Sequence, residues 1–303
     1  IMTAVPRFYQ NLYQKINASF SKATGIKKIL VQKMLELGLK KIKKEPLNFL
    51  EKIQDILLEK IVRKKIKAQF GGSLKTFVSG GGALDKEVGF FLNAIGLPTL
   101  QGYGLTETSP VVSCNPINDI RVETVGPPFR GNEVKIAEDG EILVKGENVM
   151  LGYWNNQEET DKVLKNGWLH TGDIGVFENT YLKITDRKKD ILITPGGDNI
   201  SPIKIENELI NSELFEQAIV CGDNKPFLVA LLVLNEEKKL STEDEIKAEI
   251  EKINKKLSKI ENIKKYFIIN EKFSIENGML TPTLKLKRYK IIQKYKNNFE
   301  KLY

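Results

Sequence analysis

Residues 74–108 constrain the fold of this chain more than any other stretch, because short apolar runs alternate there with a glycine loop and one helical period. LKTFV (74–78) reads as a strand and SGGGA (79–83) as the loop that follows it. Asp85 then takes a helix N-cap position, Val88, Phe91, Leu92 and Ile95 share one helical face, and Gly96 ends the helix. LPTL (97–100) begins a second apolar run that leads into QGYGLTETSP (101–110). Strand, glycine loop, helix, strand is the order of an α/β fold. The loop lets backbone approach a ligand closely, although glycine turns without ligands are common, and with no GK[ST] ending it is not a P-loop.

The rest of the chain is consistent with an ordinary folded protein. Its 303 residues allow about two domains, and 41% hydrophobic with 28% charged residues excludes disordered and collagenous classes. The longest uncharged stretch, Val88 to Thr106, holds four glycines and a proline, so it is not a membrane span. Cys114 and Cys221 lie far apart with only His170 to support them, which excludes a zinc module and argues against a disulfide scaffold. A reducing, cytoplasmic setting is the expectation. The opening IMTAVPRFYQ has neither signal-peptide pattern nor initiator methionine, and it reads as a chain entered in the middle.

The net charge of +8 is concentrated in one place: between Lys22 and Lys67, 13 Lys and one Arg face five acids, an excess of +9. Ile26, Leu30, Met34 and Leu37 recur there at helical spacing. After Pro46, suited to a first helical turn, Leu47, Leu50, Ile53, Leu57 and Ile61 continue a similar stripe. Two basic amphipathic helices are expected in an insertion spanning about 22–68. Either their lysines form a solvated face over a buried apolar stripe, or residues 22–67 contact anionic lipid and make the protein peripheral at the inner face of a membrane. No aromatic residues interleave the lysines at a spacing suited to base stacking, so nucleic acid is not an expected partner.

QGYGLTETSP carries the most chemistry. Gly102 and Gly104 flank Tyr103 in a tight turn, and Thr106, Glu107 and Thr108 offer hydroxyl, carboxylate and hydroxyl in sequence. A hydroxyl can donate to a phosphate, a carboxylate is a hard ligand for Mg²⁺, and an aromatic ring can lie against a purine. A polar turn with an N-cap accounts for the same residues. At this string the chain resembles the adenylate-forming (AMP-binding) acyl-CoA synthetase superfamily, most closely its long-chain fatty acid-CoA ligases.

Several motifs in order carry the resemblance over nearly the whole sequence. VPRFY (5–9) looks like the segment before the variable helices of these ligases, and SGGGALDKEV (79–88) resembles their SGGAPL loop. That match implies an adenine lining of Gly80, Gly81, Gly82 and Ala83, with Ala83 in place of the usual proline. QGYGLTETSP is similar to the YGxTE motif, which implies that Tyr103 stacks on adenine, Thr106 contacts the α-phosphate and Glu107 binds Mg²⁺. GEILVKGENVMLGYWNN (140–156), alternating like strands of a small barrel, is followed by GWLHTGDIG (167–175) and LKITDRKKDILI (182–193). By resemblance Asp173 accepts from the ribose hydroxyls, Arg187 meets the ribose and phosphate, and Lys189 is the interdomain hinge. GGDNISPIKIEN (196–207) resembles the GGKNIAP stretch, with Gly196 and Gly197 on the coenzyme A side and Asp198 where lysine is usual. NGMLTPTLKLKRYK (277–290) resembles the terminal lysine motif, which makes Lys285 the lysine that binds acyl carboxylate and α-phosphate; Leu284 stands where many relatives have glycine. His170 reads as a framework residue.

The resemblance implies an α/β fold: part of the large AMP-binding domain over residues 1–187, with sheet and helix layers and a small distorted β-barrel, then a small mobile α+β domain over 188–303. FLVALLVLN (227–235) and YFIIN (266–270) read as strands there, and 242–261 as a charged helix. The implied activity is ATP-dependent acyl-adenylate formation from a fatty acid, then thioester formation with coenzyme A. The Ser/Thr/Gly-rich loop ending in Pro-Lys, with which the family grips the outer phosphates, is not among these residues. The chain is therefore similar to the C-terminal half of such an enzyme and is expected to be inactive alone. Two alternatives stay open: a non-catalytic nucleotide- or partner-binding remnant, and a ligase of the same superfamily using another carboxylate or acyl acceptor.

Overall fold

The computed structural model, which describes residues 1–281 and 284–303, divides into two units, Ile1–Ile184 and Thr185–Tyr303. The first begins with β1 (Met2–Ala4), after which α1 (Pro6–Ser21), α2 (Gly25–Ile42), α3 (Phe49–Leu58) and α4 (Lys64–Ala68) intervene before β2 (Phe77–Ser79). A second crossover helix, α5 (Lys86–Ala94), leads to β3 (Thr99–Tyr103), and β4 (Ser113–Cys114) follows. The sheet order is β1-β2-β3-β4, with the first three strands parallel and β4 antiparallel. Parallel neighbours require such crossovers, and the helices bury Tyr9, Met34, Leu37, Val88 and Leu92 against Phe77. Asp85 caps α5 by accepting from the backbone N–H groups of Glu87 and Val88, as its position in the sequence suggests.

The basic insertion departs from expectation in its second helix. α3 starts at Phe49, not near Pro46, because Asn48 accepts from the Glu51 N–H while Glu51 accepts from the Asn48 N–H. The expected stripe points outward: Leu50, Ile53, Leu57 and Ile61 are 69%, 44%, 52% and 47% exposed, whereas Glu51 and Asp55 are buried. Charge pairing explains the inversion. Lys40 of α2 reaches Glu51 at 2.5 Å, and Lys41 and Arg63 reach Asp55 at 2.8 and 2.5 Å. Arg63, itself buried, also donates to the carbonyls of Ala94 and Met34, which ties α3, α2 and α5 together.

The first unit continues with β5 (Asn132–Ile136), β6 (Glu141–Gly146), α6 (Gln157–Val163), β7 (Leu164–Lys165), β8 (Trp168–Glu178) and β9 (Tyr181–Arg187), whose last residues enter the second unit. The sheet order is β5-β6-β8-β7, with β9 on β8. Tyr103 of β3 packs with Val112, Val125, Ile142, Val144 and Leu182, so one apolar cluster joins the two sheets.

In the second unit, β10 (Leu192–Ile193) and β11 (Asn199–Ile200) form a hairpin, and α7 (Pro202–Ile210) precedes β12 (Phe215–Cys221) and β13 (Leu228–Leu234). α8 (Glu243–Asn254) leads to β14 (Ile263–Ile269), and α9 (Arg288–Lys294) and α10 (Lys296–Glu300) close the chain. β13 lies between antiparallel β12 and parallel β14. Its alternate side chains feed two cores: Leu228, Ala230 and Leu232 pack with α7 and α8, Val229, Leu231 and Val233 with α9 and α10. The helix expected over 242–261 stops at Asn254, whose side chain bonds the backbone of Ile263 in both directions. Among the described residues no helix is long and apolar enough to cross a membrane.

The docking of α3 has a pH consequence. The hydrogen bond from Lys40 lowers the Glu51 carboxyl, and although burial alone would raise Asp55, the bonds from Lys41 and Arg63 outweigh it and lower Asp55 too. Carboxyls lowered on folding contribute stability above their unfolded range, about pH 4, and lose it as pH falls through their folded values. Amide exchange in α3 should therefore accelerate below about pH 4 before exchange in α5 does. Asp55→Asn, which removes the nearer carboxylate from buried Arg63 and leaves it only Glu59 at 3.6 Å, should cost about 3 kcal/mol in chemical denaturation. A variant within about 0.5 kcal/mol of the parent would show that apolar packing, not the ion pairs, seats this helix.

Candidate functional site

Two loops leave the same edge of the parallel sheet, the edge where α/β folds place their ligands. Gly80–Ala83 follows β2 and Gly104–Thr108 follows β3; since Ser79 pairs with Gln101, the loops start side by side. A Cβ built on Gly80 would lie 3.9 Å from the Gly102 carbonyl. Gly104 is required sterically, because its Cβ would meet the Pro110 carbonyl oxygen at 1.7 Å. Gly102 has ordinary room, its nearest neighbour being the Ser113 carbonyl at 3.5 Å.

The Tyr103 ring packs in the cluster between the sheets, and its hydroxyl donates to Asp173 Oδ2 at 2.8 Å. Both residues are buried, at 7% and 4% exposure. This one bond unites the residue that ends β3 with the carboxylate in mid β8, 70 positions later. Asp173 is positioned from behind by residues without a motif of their own. Thr171 donates to the Ile142 carbonyl and accepts from the Asp173 N–H. Buried Glu141 accepts from the Gly172 N–H at 2.8 Å and lies 3.1 Å from His170 Nδ1. His170 is thus engaged in the framework, as its sequence context suggests.

Thr106 and Glu107 open a short 3₁₀ turn, Thr106–Thr108, with Thr106 exposed. Thr108 is a correction to the expected row of ligand groups: it is fully buried, its hydroxyl accepting from the Leu105 N–H and donating to backbone carbonyls. Its task is to hold the turn. Glu107 accepts from the Tyr153 hydroxyl at 2.9 Å, and its carbonyl accepts from the Met150 N–H. Desolvation, reinforced by Glu107, pushes the Tyr153 hydroxyl up to about 12, so it remains a donor at physiological pH. Tyr153 stands within GEILVKGENVMLGYWNN (140–156), where nothing in the sequence singled it out. Among the described residues there is no group of three or more His, Cys, Asp or Glu able to hold a metal. One half-exposed carboxylate fits Mg²⁺, which uses one or two carboxylates together with substrate phosphates.

The second unit holds the other residues singled out. Arg187 is exposed at the end of β9, and its carbonyl accepts from the N–H groups of Asp190 and Ile191, so exposed Lys189 rides on a closed turn. Gly196 and Gly197 form the exposed tip of the β10–β11 hairpin, with Gly197 at φ +87°. Asp198 turns back onto Thr194, its N–H donating to the threonine hydroxyl at 3.0 Å. A groove beside this hairpin is lined by Thr194, Gly196, Lys225, Phe227, Lys259 and Lys264. Exposed Lys285 lies on a loop closed by Thr281, whose hydroxyl accepts from the Lys285 N–H and whose N–H donates to the Lys285 carbonyl. Pro282 and Thr283, the expected turn before it, lie outside the described residues. Leu284 has φ +61°, the left-handed region that glycine enters freely, which gives the glycine of many relatives a conformational reason. Arg288 anchors the loop by donating to Glu206 and to the Val220 carbonyl, with Asp190 of the Lys189 turn 4.0 Å away.

Comparison with known proteins follows the same division. A family model described as AMP-binding enzyme matches residues 1–154, and one described as AMP-binding enzyme C-terminal domain matches 189–303. Long-chain-fatty-acid–CoA ligase FadD15 of Mycobacterium bovis is 34% identical over 327 residues, covering 100% of this chain and 54% of its own. Long-chain-fatty-acid–CoA ligase 5 of Mus musculus is 32% identical over 339 residues, covering 100% and 49%. The chain thus spans about half the length of the curated relatives it matches. Among solved structures, the adenylation domain of a carboxylate reductase from Mycobacterium chelonae superposes with TM-score 0.74 over 99% of this chain and 46% of its own; at 22% identity it speaks for the fold alone. The o-succinylbenzoate CoA synthetase of Bacillus subtilis, solved with its acyl-adenylate intermediate, gives TM-score 0.63 at 27% identity over 75% and 49%.

The two glycines around Tyr103 provide a direct test of the turn. Gly104→Ala should cost about 3 kcal/mol or more, because backbone on both sides of the turn must shift. Gly102→Ala should cost under about 1 kcal/mol, the same methyl meeting only ordinary contacts. Equal losses in thermal denaturation would contradict this geometry.

Proposed function

Because the chain belongs to the AMP-binding enzyme family, we propose that it forms the C-terminal portion of a long-chain fatty acid-CoA ligase and carries that enzyme's nucleotide-binding turn. The observation that supports this reading best is the buried bond between Tyr103 and Asp173. It sets an aromatic residue, a carboxylate and the Gly80–Gly82 loop at one edge of a parallel sheet. Adenine is proposed to lie along Tyr103 and the loop Gly80–Ala83, while Asp173 accepts from the two ribose hydroxyls, which an ionised carboxylate can do. Thr106 would donate to the α-phosphate. Mg²⁺, when bound, would be held by Glu107 with the nucleotide's phosphates and would offset their charge. Tyr153 would fix the Glu107 carboxylate through its hydroxyl.

In the proposed first half-reaction a fatty carboxylate oxygen bonds to the α-phosphorus of ATP and pyrophosphate leaves. In the second, the coenzyme A sulfur bonds to the acyl carbon, AMP leaves, and the thiol proton goes to solvent. Lys285 would offset charge where carboxylate and α-phosphate converge. Arg187 would add a permanently charged fork to the ribose and phosphate region. Lys189 is proposed as the pivot about which the second unit turns between the halves, bringing Gly196, Gly197 and the adjoining lysine-lined groove to the coenzyme A side. The relatives' names support a long-chain acid as substrate; the solved neighbours act on other carboxylates, so the acid is the part of this reading that assays must decide.

Lys285→Ala separates the two steps. In the complete polypeptide carrying these residues, acyl-adenylate formation, read by pyrophosphate exchange, should fall by about 10²–10³, the loss typical of one transition-state donor. Thioester formation from preformed acyl-adenylate and coenzyme A should change less than about tenfold. Equal losses in both assays would remove the assigned role, and no loss in either would leave Lys285 a solvated charge.

A further inference from the structure

α3 is built inside out, and its outward face has the chemistry of a lipid-binding surface. Around a helix at 100° per residue, Phe49, Leu50, Ile53, Ile56 and Leu57 fall on one continuous arc, and all are exposed, Phe49 by 76% and Ile56 by 58%. The opposite arc carries Glu51, Asp55 and Leu58, all buried. A soluble helix ordinarily turns its apolar stripe inward. Contiguous apolar exposure of this kind marks an interaction surface.

The charges around this face identify its partner. Acids between residues 22 and 67 are engaged in pairs: Glu36 with Lys33 and Lys40, Glu51 with Lys40, Asp55 with Lys41 and Arg63, and Glu59 with Arg63 and Lys67. Lys52, Lys60, Lys64 and Lys65 are exposed and make no ion pair among the described residues. The internal pairs engage every acid from Phe49 to Lys65, namely Glu51, Asp55 and Glu59, so the charge left beside the apolar arc is lysine. We propose that α3, with the following turn through Lys65, docks onto an anionic lipid surface, inserting Phe49, Leu50, Ile53, Ile56 and Leu57 among the acyl chains while the lysines meet the headgroups. A protein partner or a second copy would be served by the apolar arc alone; the uncompensated lysines fit a surface of negative charge. This inference stands on α3 and the lysines that follow it, not on the proposed chemistry of the nucleotide turn.

Vesicle flotation of the complete polypeptide tests it, using phosphatidylcholine vesicles with and without 30 mol% phosphatidylglycerol at about 50 and 300 mM salt. Binding should require phosphatidylglycerol and weaken with salt. Leu50→Glu/Leu57→Glu should lose at least tenfold in binding while keeping the parent's circular dichroism and melting, because both positions are solvent-facing. Lys52→Gln/Lys60→Gln/Lys64→Gln should lose about 100-fold, from about 1 kcal/mol per lysine at an anionic surface. Equal binding to neutral and anionic vesicles, or full binding by the folded Leu50→Glu/Leu57→Glu variant, would overturn the proposal. So would no vesicle binding, whether the face is covered by other sequence of the same polypeptide or by a second copy, the latter revealed by a dimer in size-exclusion chromatography that the leucine variant disperses.

Discussion

The hydrogen bond from the Tyr103 hydroxyl to the Asp173 carboxylate is the contact on which the first unit's candidate site depends. It crosses from the parallel sheet to the second sheet and is shielded from water at both ends. A buried hydrogen bond to a charged group contributes about 1.5–3 kcal/mol, more than most single surface contacts. Around it the chain spends its polar groups on backbone positions: Thr108 holds the turn after β3, Glu141 holds Gly172, and Thr171 holds Asp173. Among the groups with open faces at this sheet edge are Thr106 and half-exposed Glu107. A rigid turn with a hydroxyl and a carboxylate at its mouth suits binding by positioning rather than by rearrangement.

The second unit applies the same economy around Arg288. One guanidinium meets Glu206 on α7, the Val220 carbonyl on β12 and, more distantly, Asp190 in the turn that carries Lys189. Burial raises the Glu206 carboxyl, and Arg288 opposes that rise, so the pair is a fastening that must be complete to be favourable. Because Arg288 lies three residues beyond Lys285, the fastening fixes where the lysine loop leaves the fold. Cys221 sits behind it, and burial pushes its thiol up to about 12, which leaves it a packing group and not a nucleophile.

Much of this was legible in the sequence, for identifiable reasons. The loop and helix over 80–96 followed from local signals: Asp85 as cap, Gly96 at φ +86°, one apolar face between them; the strand before them, expected over 74–78, is the shorter and later Phe77–Ser79. The uniform apolar run at 228–234 announced a strand buried on both sides. Other features depend on partners distant in sequence. Helical periodicity reveals that α3 has an apolar face but not which way it points; that was decided by Lys40, Lys41 and Arg63 meeting Glu51 and Asp55. Tyr153 and Glu141 reach Glu107 and Gly172 across 46 and 31 positions, and no local pattern marks them. The charged pattern after Thr242 continues past the point where the Asn254 side chain takes the Ile263 backbone, so the helix ends sooner than its composition suggests.

The central claim is that Tyr103 and Asp173 build a site for a nucleotide bearing a vicinal diol. The direct measurement is titration of AMP and of 2′,3′-dideoxy-AMP into the isotopically labelled chain, followed by amide NMR. The account predicts that AMP shifts the amides of Gly80–Gly82, Gly102–Thr106 and Gly172–Asp173, and that the dideoxy analogue binds at least tenfold more weakly, since Asp173 loses both donors. Equal affinity for the two nucleotides, or shifts confined to other residues, would contradict it.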